Sequence, residues 1–177
     1  VETQNNDVMS LDVKRAKRGD KNAFCNLIRI NKISMYRVAK SILSKEEDVE
    51  DAVSEAILKA YKNIKSLKDE SFFKTWLIRI VINESNTLYK KRSREISVEN
   101  EHFINLQVND KYKDLTLYNA INSLDEDLRT TTILFYFEDM KYKDIAKVLD
   151  IKEGTVKSRL SRAKEKLYNI LKEELHG

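Results

Sequence analysis

The chain has 177 residues, and 33 lysines and arginines against 29 aspartates and glutamates leave a net charge of +4. It has no proline, three glycines and one cysteine, too few turn residues for a sheet protein and too few thiols for an internal disulfide. No apolar run approaches the ~20 residues of a membrane span, and the polar start from Val1 to Asp7 lacks a signal-peptide core, so an all-α protein of the cytoplasm is expected.

Residues 10–18 read as a short helix that stops at Gly19. Asp20 is placed to cap the next helix, about 21–43, whose face is Phe24, Leu27, Ile28, Met35, Val38, Ala39, Ile42 and Leu43. Cys25 falls in this apolar stretch and is expected in the core. Ser44-Lys-Glu-Glu47 has the form of a capping box, opening a helix over about 45–65. Its stripe is Val49, Ala52, Val53, Ala56, Ile57, Ala60, Tyr61 and Ile64. Six acids crowd its first half (Glu46, Glu47, Asp48, Glu50, Asp51, Glu55). Some suit the positive end of the helix dipole; the excess points to a basic partner.

Ser66 to Ser71 is a polar loop, and a helix over about 72–94 follows with Phe73, Trp76, Leu77, Ile80, Val81 and Leu88 on one face. It ends in Lys90-Lys-Arg-Ser-Arg94. Trp76 fits a base-stacking platform, although its register with Phe73 and Ile80 favours the core. Residues 96–113 break the helical rhythm and read as a linker, with Ile96, Val98, Phe103, Ile104, Leu106 and Val108 able to dock on a partner. Helical pattern resumes at 114 with Leu115, Tyr118, Ile121 and Leu124, and Asp125 caps a helix of about 126–138. The chain thus divides into units of 1–95 and 114–177, each large enough for a small core.

Tyr142 to Leu149 and Thr155 to Leu167 form a helix-turn-helix, with Gly154 as the turn and Thr155 as the cap. Val156, Leu160, Ala163 and Leu167 bury one face, so Lys157, Ser158, Ser161 and Arg162 point outward near the second helix's start. A recognition helix uses that position to reach base edges in the major groove. Residues 152–166 carry six basic and two acidic groups, although residues 114–177 as a whole carry 11 and 12. Positive charge is therefore patterned for nucleic acid. His102 and His176 are too few and too scattered for a metal site, and no phosphate-binding glycine loop or nucleophile elbow is present. Neither an enzyme nor a cofactor is expected. Three readings remain open on these residues: a promoter-recognition subunit, a dimeric helix-turn-helix regulator with a helical sensor domain, and a protein-binding adaptor.

Three motifs in order separate them. Glu47-Asp-Val-Glu-Asp-Ala-Val-Ser-Glu-Ala-Ile-Leu-Lys-Ala-Tyr61 resembles region 2.2 of the sigma-70 family. Phe73-Lys-Thr-Trp-Leu-Ile-Arg-Ile-Val-Ile-Asn83 followed by Lys90-Lys-Arg92 resembles regions 2.3 and 2.4, and Glu153-Gly-Thr-Val-Lys-Ser-Arg-Leu-Ser-Arg-Ala163 resembles region 4.2. Together they look like an extracytoplasmic-function (ECF) sigma factor, and the resemblance covers nearly the whole chain.

The resemblance implies a sigma-2 domain (1–95), a linker (96–113) and a sigma-4 domain (114–177). It implies a protein that binds core RNA polymerase at its clamp and flap, recognises promoter DNA, helps to melt it, and is held by an anti-sigma factor that is often membrane-anchored. Asp51, Ser54 and Glu55 would meet the clamp; the family often has glutamine at the position of Ser54. Phe72, Asn83, Lys90, Lys91, Arg92 and Arg94 would hold the melted −10 strand, with Asn83 on a base and the cations on phosphates. Ile82 stands where the family often has arginine. Lys157, Ser158, Ser161 and Arg162 would read the double-stranded −35 element, while Thr155, Arg159, Lys164 and Lys166 grip phosphates and Tyr142 and Lys143 touch the backbone.

Overall fold

The computed structural model describes residues 2–95 and 115–176, and every described element is helical. α1 (Glu2–Lys17), α2 (Lys21–Ile42), α3 (Glu46–Asn63) and α4 (Phe73–Glu95) form the first unit. Two 3-10 turns, Ile64–Ser66 and Glu70–Phe72, join α3 to α4. α5 (Leu115–Asn122), α6 (Glu126–Tyr136), α7 (Tyr142–Leu149) and α8 (Glu153–His176) form the second. The stretch read as a linker lies outside the described residues.

Local chemistry accounts for the boundaries. α1 extends further toward the N-terminus than its apolar pattern suggests, and it stops where Gly19 adopts φ +98°. The Gly19 and Asp20 amides bond back to the carbonyls of Ala16 (2.9 Å) and Arg15 (3.1 Å), satisfying the helix end. Asp20 then caps α2, its carboxylate accepting from the Ala23 amide at 3.0 Å. That bond, with help from Arg15, holds the Asp20 carboxyl below its ordinary pKa. The expected capping box at α3 does not form. The helix begins at Glu46, so Lys45 and not Ser44 occupies the cap, without a side-chain bond; Lys40 donates to the Ser44 carbonyl (3.2 Å) and to Glu46 (3.0 Å). Burial and the neighbouring Glu46 push the Tyr36 phenol up to about 12.

Cys25 is exposed, contrary to expectation. The buried row of α2 runs Ala23, Phe24, Leu27, Asn31, Met35, Val38 and Ile42, which leaves Cys25 on the opposite side. The turn of the helix-turn-helix is also built differently. Asp150, at φ +55° and ψ +48°, makes the left-handed reversal, a conformation aspartate tolerates better than most residues. Gly154 and Thr155 instead lie inside the first turn of α8.

The two units lie against each other. α2 contacts α6, and α4 packs on α2 and α3 and also on α7. That second neighbour explains why α4 buries Ile78 and Ile82 besides Phe73, Leu77 and Val81. Buried apolar residues of both units join in one cluster, from Val13 to Leu160, and Leu124, Leu128 and Ala163 form a smaller one.

Polar groups knit the seam. Glu138, fully buried at its side chain, takes Arg37 at 2.7 Å and Lys74 at 3.1 Å from the first unit. Lys74 also donates to the Glu138 carbonyl at 3.1 Å. Arg129 donates to the Ser41 carbonyl (2.9 Å), and the Ser41 and Thr130 hydroxyls lie 3.1 Å apart. The same guanidinium holds the Asn122 and Leu124 carbonyls, tying α5 to α6.

Nothing stands within 4 Å of a Cβ built on Gly19, so alanine there meets only backbone strain. Gly19→Ala should cost ~1–2 kcal/mol. Urea unfolding should show a lower midpoint at unchanged slope; an unchanged midpoint would contradict this account of the turn.

Candidate nucleic-acid interface

Two separate surfaces carry the chemistry expected of DNA contacts. The first is the outward face of α4. Arg79, Asn83, Thr87, Lys90 and Arg94 recur at four, four, three and four residues, so they share one side of the helix, and Phe72 stands in the 3-10 turn just ahead of it. All six are exposed, Phe72 at 45%. From Arg79 to Arg94 the row is ~22 Å long at ~1.5 Å per residue, about the rise of six stacked nucleotides at ~3.4 Å each. Asn83 projects from its middle, and its side-chain amide has no partner among the described residues. Thr87, Lys90, Lys91 and Arg94 line an open depression beside it.

The α4 candidates do not all point the same way. Arg92 turns back onto α3, where its guanidinium meets the buried Asp48 carboxylate at 2.9 and 3.0 Å. Trp76 is half-buried against the core, its ring 5.9 Å from Phe73. Arg79 is not among the contacts that the family resemblance implies. Its signal is present in the sequence, since it stands one helical turn before Asn83.

Ahead of α4, the Leu67–Phe72 segment is shaped by its own side chains. Asp69 accepts from the Ser71 hydroxyl (2.7 Å) and amide (2.9 Å). These bonds hold the Asp69 carboxyl below its ordinary pKa. Lys17 does the same for Glu70 through a 2.9 Å bond. Both carboxyls are depressed in the folded chain, so their contribution to this loop is present above the ordinary carboxylate range and is lost as pH falls through the folded values.

The second surface is the start of α8. Lys157, Ser158, Ser161 and Arg162 are all exposed, while Val156, Leu160 and Ala163 anchor the helix from behind. Lys157 lies 5.8 Å from the Tyr142 ring, which itself stacks on Phe135. Tyr142 is thereby half-buried, and Lys143 beside it is exposed. The flanking cations divide. Arg159 pairs with Asp127 at 2.5 Å and Lys166 with Asp125 at 2.5 Å. Thr155 is half-buried, and Lys164 is exposed.

A third surface, on α3, is acidic. Asp51, Ser54 and Glu55 are exposed on one side together with Leu58. Two of the six acids serve internally, Asp48 with Arg92 and Glu46 with Lys40, leaving Glu47, Glu50, Asp51 and Glu55 outward. No group of three or more metal-ligating side chains occurs among the described residues, and no described helix is long and apolar enough to cross a membrane.

Comparison with known proteins matches this layout. Residues 27–95 match the sigma-70 region 2 model and residues 114–167 the sigma-70 region 4 model. The chain is 32% identical to the ECF RNA polymerase sigma-E factor of Haemophilus influenzae, over 89% of this chain and 92% of that one. It is 31% identical to the RNA polymerase sigma-H factor of Pseudomonas aeruginosa, over 90% and 91%. Among solved structures it resembles the sigma factor RpoE of Bartonella quintana, crystallised with the anti-sigma factor NepR. The TM-score is 0.73 at 30% identity, over 84% of this chain and 96% of that one. The chain belongs to the ECF sigma factors of the sigma-70 family. Its likeness to the Bartonella protein covers more of the chain than either unit alone.

The Arg92–Asp48 pair sets Arg92 apart from the outward cations of α4. Arg92→Ala strands a buried carboxylate and should cost about 1–2 kcal/mol, discounted because the guanidinium is 43% exposed at its side chain. Lys91→Ala should be neutral within ~0.5 kcal/mol. Equal unfolding midpoints for the two variants would contradict the assignment.

Proposed function

We propose that this sigma factor reads a promoter with both units at once, delivering core RNA polymerase to it in the cytoplasm. The observation that carries the reading is the pair of outward faces, one on α4 and one at the start of α8, each backed by buried apolar residues. The α4 row suits a melted −10 strand: Phe72 offers a ring for stacking, Asn83 a donor and acceptor for a base, and Lys90, Lys91 and Arg94 charges for phosphates. Lys157, Ser158, Ser161 and Arg162 suit the major groove of the −35 duplex, where arginine and lysine favour guanine and serine is permissive. Arg159 holds its unit together through Asp127 and contributes its remaining donors to phosphate.

Asp51, Ser54, Glu55 and Leu58 form the face for a basic element of the polymerase clamp, and the second unit addresses the flap. An anti-sigma factor, membrane-anchored or free, is the expected inhibitor. The Bartonella relative, crystallised with such a partner, supports this, as do exposed apolar side chains such as Ile33 and Tyr136.

Geometry then requires a change of shape. Elements centred at −10 and −35 are about 25 base pairs apart, or ~85 Å at ~3.4 Å each. A compact chain of 177 residues has a radius of gyration of ~16 Å. Residues 96–113 reach ~60 Å when extended at ~3.4 Å per residue. The units therefore part along the seam when both elements are held, and its polar character suits a reversible contact.

Run-off transcription from a promoter library with purified core polymerase tests the reading. The protein should direct initiation at a defined promoter class. Arg162→Ala should weaken −35 binding by ~1–3 kcal/mol, and Lys90→Ala should lower the salt slope by about one. Absence of any protein-dependent transcript would overturn it.

A further inference from the structure

We propose that Lys17, at the end of α1, is the positioning residue that sets the shape of the loop presenting Phe72 to the −10 strand. The proposal rests on the −10 reading of that loop.

The Lys17 ammonium donates to the Leu67 carbonyl at 2.7 Å and to Glu70 Oε1 at 2.9 Å. One cation thus ties the entry of the loop to its middle, across 50 and 53 residues of sequence. Both partners of the ion pair are largely shielded, at 24% and 23% side-chain exposure. The other polar supports described are local to the turns themselves. Leu67 and Phe73 are buried at its ends, whereas Lys68, Asp69, Ser71 and Phe72 between them are exposed. Asp69 closes onto the Ser71 side chain and amide, and the Phe72 and Phe73 amides close onto the Asp69 and Glu70 carbonyls, all within the loop itself. Lys17 supplies the polar tie that reaches in from another element.

That tie stands on a firm base. Val13 and Ala16 bury α1 against the core. The left-handed Gly19 turn ends the helix two residues after Lys17, and Arg15 clasps Asp20 at 2.8 Å across the turn. The contact to a main-chain oxygen matters most, because it constrains the backbone path and not merely a side chain. A lysine suits this position, because its compact ammonium points separate donors at a carbonyl and a carboxylate, whereas a planar guanidinium favours one bidentate partner.

The resulting preorganisation fixes where Phe72, just ahead of α4, sits relative to Asn83 on that helix. Without it, the loop samples several paths, and a flipped base finds its pocket formed only part of the time. The consequence is lost discrimination at −10, not loss of the fold.

The test uses holoenzyme formed from core polymerase and the full chain, with wild type, Lys17→Met, Lys17→Arg and Glu70→Gln. Each selects from an oligonucleotide pool randomised across the −10 element and carrying a constant −35 duplex. Amide hydrogen exchange of residues 67–73 is read in parallel. Lys17→Met should flatten base preference at −10 about tenfold and speed exchange in 67–73 by a similar factor. Its affinity for the −35 duplex alone and for core polymerase should match wild type. Lys17→Arg should recover part of the preference, and Glu70→Gln, which keeps the carbonyl contact, most of it.

If wild type selects a −10 sequence and Lys17→Met selects it equally well, the positioning role is wrong while the −10 reading stands. Unchanged exchange in 67–73 overturns the role as well. If Lys17→Met also loses −35 and polymerase binding, Lys17 is a general structural residue and the role fails. If wild type selects no −10 sequence, the underlying reading fails and the proposal falls with it.

Discussion

The buried Glu138 carboxylate, held between Arg37 and Lys74, is the interaction on which the arrangement of this molecule turns. A carboxylate removed from water costs several kcal/mol unless compensated, and here both compensating cations come from the other unit. Arg129 repeats the logic from the opposite direction, with its guanidinium spent on carbonyls of Ser41, Asn122 and Leu124. Burial lowers its pKa, yet an arginine stays charged. The seam is therefore held by directional polar contacts around an apolar centre that includes Ile78 and Ile82. Such contacts fix one docking geometry. They also leave each group acceptable to water when the seam opens, which a wholly apolar interface would not.

The two surfaces proposed to face DNA lie outside this seam. Asn83, Lys90 and Arg94 on α4 and Lys157, Ser158 and Arg162 on α8 are all exposed while the units are together. Closure leaves both proposed reading faces uncovered and sets the distance between them. On the proposed reading, a molecule that keeps its units joined presents one element's reader at a time, and the polar seam governs whether both elements are engaged together.

Much of this is legible in the sequence wherever a side chain's role depends on its own helix. The stripes Val49–Ala52–Ala56–Ala60 and Val156–Leu160–Ala163 bury as their 3.6-residue spacing requires, with Val53 and Ile57 partly buried beside the first and Asp51, Ser54, Glu55, Lys157 and Ser158 exposed. What is not legible depends on partners far along the chain. Arg92, Arg159 and Lys166 read as phosphate grips, and nothing in their own helices signals the ion pairs they make with Asp48, Asp127 and Asp125, 44, 32 and 41 residues away. Ile82 reads as a missing arginine, and only the packing of α7 on α4 gives it a place in the core. Glu138 closes the stretch read as a helix over about 126–138, and only the approach of α2 and α4 buries it. The cap of α3 departs from its sequence pattern because the helix begins at Glu46, one residue later than a Ser44 cap requires. Asp150 makes the reversal ahead of Gly154 because aspartate tolerates positive φ, which a search for glycine alone passes over.

The most direct measurement is the distance between the units, free and on DNA. Cys25 is the only cysteine and is exposed on α2, so a label there and a second at Tyr168→Cys on α8 report the separation across the seam. Pulsed electron-electron resonance on the free protein should give one short, narrow distribution. In the complex with core polymerase and a promoter bearing both elements, the distribution should move out beyond ~60 Å, as the spacing of the elements demands. An unchanged short distance in a transcriptionally active promoter complex would contradict the account.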